Sequence, residues 1–156
     1  MKKTALVSSS SDPFLILTCH KLFEKYYYNE LDSFRINLNN ASRFPLEVRQ
    51  ELVAELIKDP KVRLIYRPEG GDPGQAIKEL LLTSTEDLVM LLEEDGFIFT
   101  PGVVESAFKQ IENGHVDALG SPRGSCGEEI SEASRVKYHL DYFKYGDSGC
   151  KFWPNF

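Results

Sequence analysis

Cysteine is scarce in this sequence. The three residues, Cys19, Cys126 and Cys150, are odd in number and show no CxxC spacing. That pattern disfavours a disulfide framework and points to a reducing, cytosolic compartment. A metal-binding or catalytic thiol is disfavoured too, because only Cys19 has a histidine beside it, His20. Long apolar runs are missing. Nothing approaches the ~18 consecutive apolar residues of a membrane span. The run at residues 5–7, behind Lys2 and Lys3, is too short for the core of a secretory signal. Basic charge is in deficit, with 18 Lys plus Arg against 24 Asp plus Glu and a net charge of -6. A broad nucleic-acid footprint needs the opposite balance. An anionic ligand would need a metal or helix N-termini to supply positive potential. Neither the dinucleotide fingerprint GxGxxG nor the phosphate loop GxxxxGK[ST] occurs.

What remains is an ordinary globular composition. The 156 residues are 42% hydrophobic and 27% charged, enough for one domain with a real core. No internal repeat and no Gly/Ser linker divides the chain. Residues 4–8 read as a buried first strand. Asp12 and Pro13 open a helix as cap and first-turn proline, and residues 14–28 follow at helical spacing. Residues 33–38 alternate Phe34, Ile36 and Leu38 as a second strand, closing in the turn composition of residues 39–42. Pro45 opens a second helix, which Asp59 and Pro60 end. Residues 62–66 form a third strand, and the glycine-rich loop at 69–74 leads into a helix at 75–82. Residues 87–92 are apolar throughout after Asp87 and predict a strand buried on both faces. A helix at 103–112 and a fifth strand at 116–119 follow. Strands alternating with helices imply a mostly parallel, doubly wound α/β sheet.

Beyond residue 121 the rhythm breaks. Residues 130–142 could form a helix, and the tail ends on Phe152, Trp153 and Phe156. Such an apolar ending predicts that the domain continues past Phe156 or that the chain is an excerpt. Trp153 is equally readable as core or as a stacking platform for a sugar or base. His20, His115 and His139 read as surface or helix-end residues rather than ligands.

In a doubly wound sheet, ligands bind beyond the carboxyl ends of the strands. Those ends carry Ser8, Ser9 and Ser10, then Asn39 and Asn40, then Arg67, then Glu93, Glu94 and Asp95. The last group is the sharpest signal. If the chain is still extended there, Glu93 and Asp95 point to one side. Two hard oxygen ligands on one side suit Mg²⁺ or Mn²⁺ bridged to phosphates. The plainer alternative is a solvated acidic turn cornered on Gly96.

The run LVMLLEEDGFIFTPGVVESAF resembles the DxD segment of the family 2 nucleotide-sugar glycosyltransferases, whose fold is GT-A, a Rossmann-like α/β architecture. INLNNAS resembles that family's second-strand end, and EGGDPGQAIKELLLTSTEDLVMLLEED resembles the stretch leading to its DxD. The likeness spans about residues 4–121. It implies a nucleotide-sugar-binding domain over 1–121 and the start of an acceptor-side region over 122–156. By the resemblance, Asp95 coordinates Mn²⁺ or Mg²⁺ and Glu93 orients ribose or metal, with Glu94 between them. Ser8 and Ser9 begin the nucleotide pocket. Asn39 contacts the base, and Arg67 and Gln75 line the cleft. The implied partners are a UDP-sugar donor and a glycan, lipid-linked or protein acceptor. Three departures stand out: Glu93 and Asn39 occupy positions where the family usually carries Asp, and Lys78 stands near where it often carries Asn. The acceptor-side base has no convincing match; Glu128, Glu129 and Asp141 are the nearby acids. Two other readings compete. One is a non-catalytic nucleotide-sugar-binding or scaffold domain of the same fold. The other is a receiver-like signalling domain, which would need acids after strand one and a Lys after strand five; serines and Gly120-Ser121-Pro122 stand there instead.

Overall fold

The computed structural model describes residues 1–98, 100–117, 119–120 and 151–152, the last two pairs by backbone alone. The candidate helix at 130–142, the acids Glu128, Glu129 and Asp141, and Trp153 lie outside the described residues. The chain divides into two compact units, Met1–Gly102 and Val103–Phe156.

The first unit is built on four parallel strands: β1 (Lys3–Ser9), β2 (Ser33–Asn39), β3 (Val62–Arg67) and β4 (Leu88–Glu93). Their order is β3-β2-β1-β4. The chain therefore winds outward from β1 through β2 to β3, then crosses back to place β4 on the other side of β1. That reversal makes the β1/β4 junction the topological switch point of a doubly wound sheet. Three helices make the crossings: α1 (Pro13–Leu22), α2 (Leu46–Leu56) and α3 (Pro73–Thr83). Helices α1 and α2 pack on one another, whereas α3 lies across β1 and β2. Right-handed crossovers put α3 on the opposite face once the winding reverses.

Local chemistry accounts for the helix starts. Asp12 Oδ1 accepts from the amides of Phe14 (3.0 Å) and Leu15 (3.3 Å), satisfying two of the first-turn donors of α1. The far end of α1 departs from the predicted continuous helix over 14–28. It widens into a π turn at Phe23–Tyr27 and tightens into a 3₁₀ turn at Tyr28–Glu30. In this arrangement Phe23 stacks on Phe34 of β2 at 4.4 Å and meets Tyr27 edge-on at 5.5 Å. Both Phe23 and Tyr27 are buried, so aromatic packing accompanies the local departure from α geometry.

Two strands exchange the burial that the sequence suggests for them. β2, whose pattern alternates, is central: Phe34, Ile36 and Leu38 are buried on one face, and Asn37 is buried on the other, with its Nδ2 donating to Ala76 O (3.3 Å) and Glu79 (3.2 Å) of α3. β4, whose pattern is continuously apolar, is the outermost strand of this sheet among the described residues, and Val89 and Leu91 are exposed. Register explains the difference. Leu91 pairs with Leu6, which pairs with Arg35, on the same face as Asn37. Helix α3 packs chiefly on β1 and β2 there, so the β4 part of that face stays open.

The second unit contains α4 (Val103–Glu112), which buries Val104 and Phe108, and a short parallel pair, β5 (Leu119–Gly120) with β6 (Lys151–Phe152). The fifth strand is thus shorter and later than predicted, and it pairs with β6 rather than within the four-stranded sheet. Among the described residues, no helix is long and apolar enough to cross a membrane.

Candidate functional site at the carboxyl rim of the sheet

The carboxyl ends of β1 and β4 lie side by side, with Ser8 in register with Glu93. β4 stops at Glu93. The amide of Gly96 donates to Glu93 O at 2.9 Å, closing a turn through Glu94 and Asp95. The chain is therefore not extended across the acidic triplet, and the strand alternation expected to align Glu93 with Asp95 does not apply. The turn instead drives Glu94 inward. Glu94 is buried, and its two carboxylate oxygens accept from the hydroxyls of Ser9 and Ser10. Glu93 and Asp95 are exposed on either side of it.

Beyond β1 the chain turns sharply. Ser11 adopts a positive φ of 66°. Its amide donates to Ser9 Oγ at 2.8 Å, and its own hydroxyl donates to Asn39 O at 2.8 Å. This pair of bonds ties the end of β1 to the end of β2. Arg43 reaches back from the 3₁₀ turn after β2: its Nη2 donates to Ser10 Oγ at 3.3 Å and lies 3.7 Å from Asp12 Oδ2. A cation therefore stands at the rim beside the hydroxyl that holds Glu94.

Asn39 and Arg67 meet around the glycine loop. Asn39 is buried, and its Nδ2 donates to Gly71 O at 3.0 Å while its Oδ1 has no partner among the described residues. A methyl group on Gly71 would stand 3.2 Å from Arg67 Nη1 and 3.8 Å from Asn39 Oδ1. Gly70 beside it needs its φ of +74°, and a Cβ there would press on the Asn40 backbone at 3.1 Å. Arg67 is half-buried and paired with Glu79 at 3.2 Å, so its guanidinium is already neutralised within the protein. Gln75 lies exposed in the first turn of α3. Ser8 is half-buried within β1.

The structure thus joins Ser9 with Glu94, and Asn39 with Arg67 across Gly71. It leaves Glu93, Asp95 and Gln75 on the surface. Ser10 stands among the strand-end residues that the sequence singles out, whereas Ser11 and Arg43 do not. The serines are visible as a run after an apolar strand; Arg43 carries no local signal, because only the return of the chain after β2 brings it to Ser10.

The electrostatics are negative. Burial pushes the Cys19 thiol up to about 12, with the charges of Glu94 and Asp95 adding to the effect. A buried carboxylate held by two hydroxyls, with two exposed carboxylates flanking it, is a hard-oxygen donor set of the kind that accepts Mg²⁺ or Mn²⁺. Among the described residues no Lys or Arg forms an ion pair with Glu94.

Compared with known families, the chain matches the model described as Glycosyl transferase family 2 over residues 36–154, about three quarters of its length. No curated protein matches it.

Proposed function

Because the chain belongs to glycosyl transferase family 2, a family of glycosyl-transfer proteins, we propose that its carboxyl sheet rim binds a UDP-sugar. The sugar would pass to a glycan, lipid-linked or protein acceptor. The observation that carries this reading is the buried Glu94 at the β1/β4 switch point, gripped by Ser9 and Ser10 with Asp95 exposed beside it. In this reading Asp95 and Glu93 hold Mn²⁺ or Mg²⁺, and Glu94 fixes the turn that presents them. Such a cation supplies charge compensation for the departing diphosphate. Arg43, released from Ser10, adds a second positive group toward the phosphates. Ser8 and Ser9 line the floor. Asn39 offers its Oδ1, unpartnered among the described residues, to a donor N–H of the base, since its Nδ2 is already committed to Gly71. Arg67 and Gln75 flank the nucleotide. Residues 1–121 form the donor-binding part in this account, and residues 122–156 begin the acceptor side.

Calorimetric titration with UDP, with and without Mn²⁺, tests the assignment. Asp95→Ala is expected to abolish the Mn²⁺-dependent part of the affinity while leaving the thermal transition in place. Equal affinities in parent and variant would end the metal assignment. A second reading, a non-catalytic donor-binding domain, is favoured by Asn39 and Glu93, which stand where the family usually has Asp. Release of UDP from a UDP-sugar in the presence of acceptor glycans separates the two.

A further inference from the structure

At the opposite rim of the sheet, His20 sits in the last turn of α1 and is buried, not exposed as a surface histidine would be. Its Nε2 lies 2.9 Å from Asp59 Oδ2, in the turn that precedes β3. The other oxygen of Asp59 accepts from the Tyr28 hydroxyl (3.0 Å) and the Lys61 amide (2.8 Å). An ionised carboxylate can only accept, so Nε2 is the nitrogen that carries the proton. In the neutral form of the ring, Nδ1 then carries a lone pair. Nδ1 lies 4.0 Å from Glu24 Oε2, one helical turn along. The gap is too long for a direct hydrogen bond. Two electron pairs facing each other repel unless a cation lies between them. Tetrahedral zinc, with bonds of ~2.0–2.1 Å, holds two ligand atoms about 3.3 Å apart, so the half-exposed Glu24 side chain has only to rotate a little inward from its 4.0 Å separation. One ligand atom from each of His20, Glu24 and Asp59, a ring nitrogen and two carboxylate oxygens, all lie within 4.8 Å of one another. The three line a single cavity of about 490 Å³ together with Lys21, Glu55 and Lys58. Glu24 is half-exposed, which gives an ion a route in from solvent.

We propose that His20 Nδ1 and Glu24 form a binding site for a borderline-soft divalent cation of the zinc class, oriented by Asp59 and completed by water from the cavity. A carboxylate bonded to the far nitrogen is what fixes the ring of a metal-ligating histidine. The site is distinct from the carboxyl rim in place and in chemistry. Imidazole selects zinc, copper or nickel, whereas carboxylates and hydroxyls suit magnesium or manganese. The alternative occupant of the gap is a proton, which would make His20 an imidazolium bridging two carboxylates.

Titration of the whole chain with Zn²⁺ at pH 7, followed by calorimetry and by the ¹⁵N signals of the histidine rings, decides between them. The expected result is a site that moves the Nδ1 signal of His20. Its affinity falls at least tenfold in Glu24→Gln and His20→Gln, and 10–100-fold in Asp59→Asn. It persists in His115→Gln and in Asp95→Ala. Glu24 is half-exposed, so Glu24→Gln keeps the test sound even if His20→Gln does not fold. Affinity for UDP with Mn²⁺ is expected to be the same in Glu24→Gln as in the parent, so failure of this site and failure of the donor site are told apart. Unchanged Zn²⁺ binding in Glu24→Gln, or a His20 ring protonated on both nitrogens and unmoved by Zn²⁺, would overturn the proposal.

Discussion

The two rims of the four-stranded sheet each hold a glutamate, Glu86 half-buried and Glu94 buried, and the two are treated differently. At the amino rim, Glu86 accepts from Ser33 (2.7 Å), from Arg35 through both Nε and Nη2 (3.2 and 3.1 Å), from Ser84 (2.9 Å) and from the Thr85 amide (2.9 Å). Its charge is compensated by a guanidinium. Burial pushes its pKa up, but the hydrogen bonds outweigh burial and bring the carboxyl down to about 2. At the carboxyl rim, Glu94 has two hydroxyls and flanking carboxylates, with Arg43 reaching only as far as Ser10. A carboxylate that is fully satisfied from within holds a fold together. One left short of positive charge at a switch point is suited to an incoming cation. The difference separates a carboxylate satisfied from within from the one proposed to sit beside a cation.

The largest effect should come from dismantling the structural glutamate. Glu86→Ala strands the partly buried Arg35 and is expected to cost about 3 kcal/mol in urea unfolding, with UDP affinity of the folded protein unchanged. The same group sets an acid limit. Its folded pKa is depressed, so its stabilisation is present above the unfolded value of 4.5 and is lost as pH falls from there toward about 2. The loss amounts to about 3 kcal/mol, and Glu86→Gln should remove that step from the stability–pH curve. The reverse pattern is expected at the other rim. Glu94→Gln should weaken Mn²⁺-dependent UDP binding by about 30-fold, or ~2 kcal/mol, while the unfolding midpoint moves little. A large stability loss with binding intact would erase the distinction between the rims. Smallest of the three, Gly70→Ala forces a side chain into the left-handed region and against the Asn40 backbone. About 1 kcal/mol of stability should go, together with a several-fold loss of UDP affinity as the Asn39–Gly71 contact shifts.

Much of this architecture can be read from the residues alone, and the exceptions have physical causes. Asp12 with Pro13, and Pro45 after a polar turn, mark helix starts because capping and proline geometry are local. Helix α4 spans residues 103–112 as its apolar spacing predicts. Position within the sheet is not local. β4 looks buried on both faces because Leu88 to Leu92 are apolar, yet it is the outermost strand of the sheet among the described residues; β2 looks one-sided, yet α3 covers Asn37. The acidic triplet is visible as a strand-end cluster, but which carboxylate turns inward depends on the Gly96–Glu93 turn, and this selects Glu94. The Arg43–Ser10 and His20–Asp59 pairs join residues 33 and 39 positions apart. No spacing rule reaches that far.

The central claim is that the carboxyl rim holds a divalent cation together with a pyrophosphate. Paramagnetic broadening of backbone amide signals by Mn²⁺ in the presence of UDP tests it most directly. The account predicts UDP-dependent broadening centred on residues 9–12, Asn39 and residues 93–96, suppressed in Asp95→Ala. Sharp signals throughout those segments, with UDP and Mn²⁺ at saturating concentration, would contradict it.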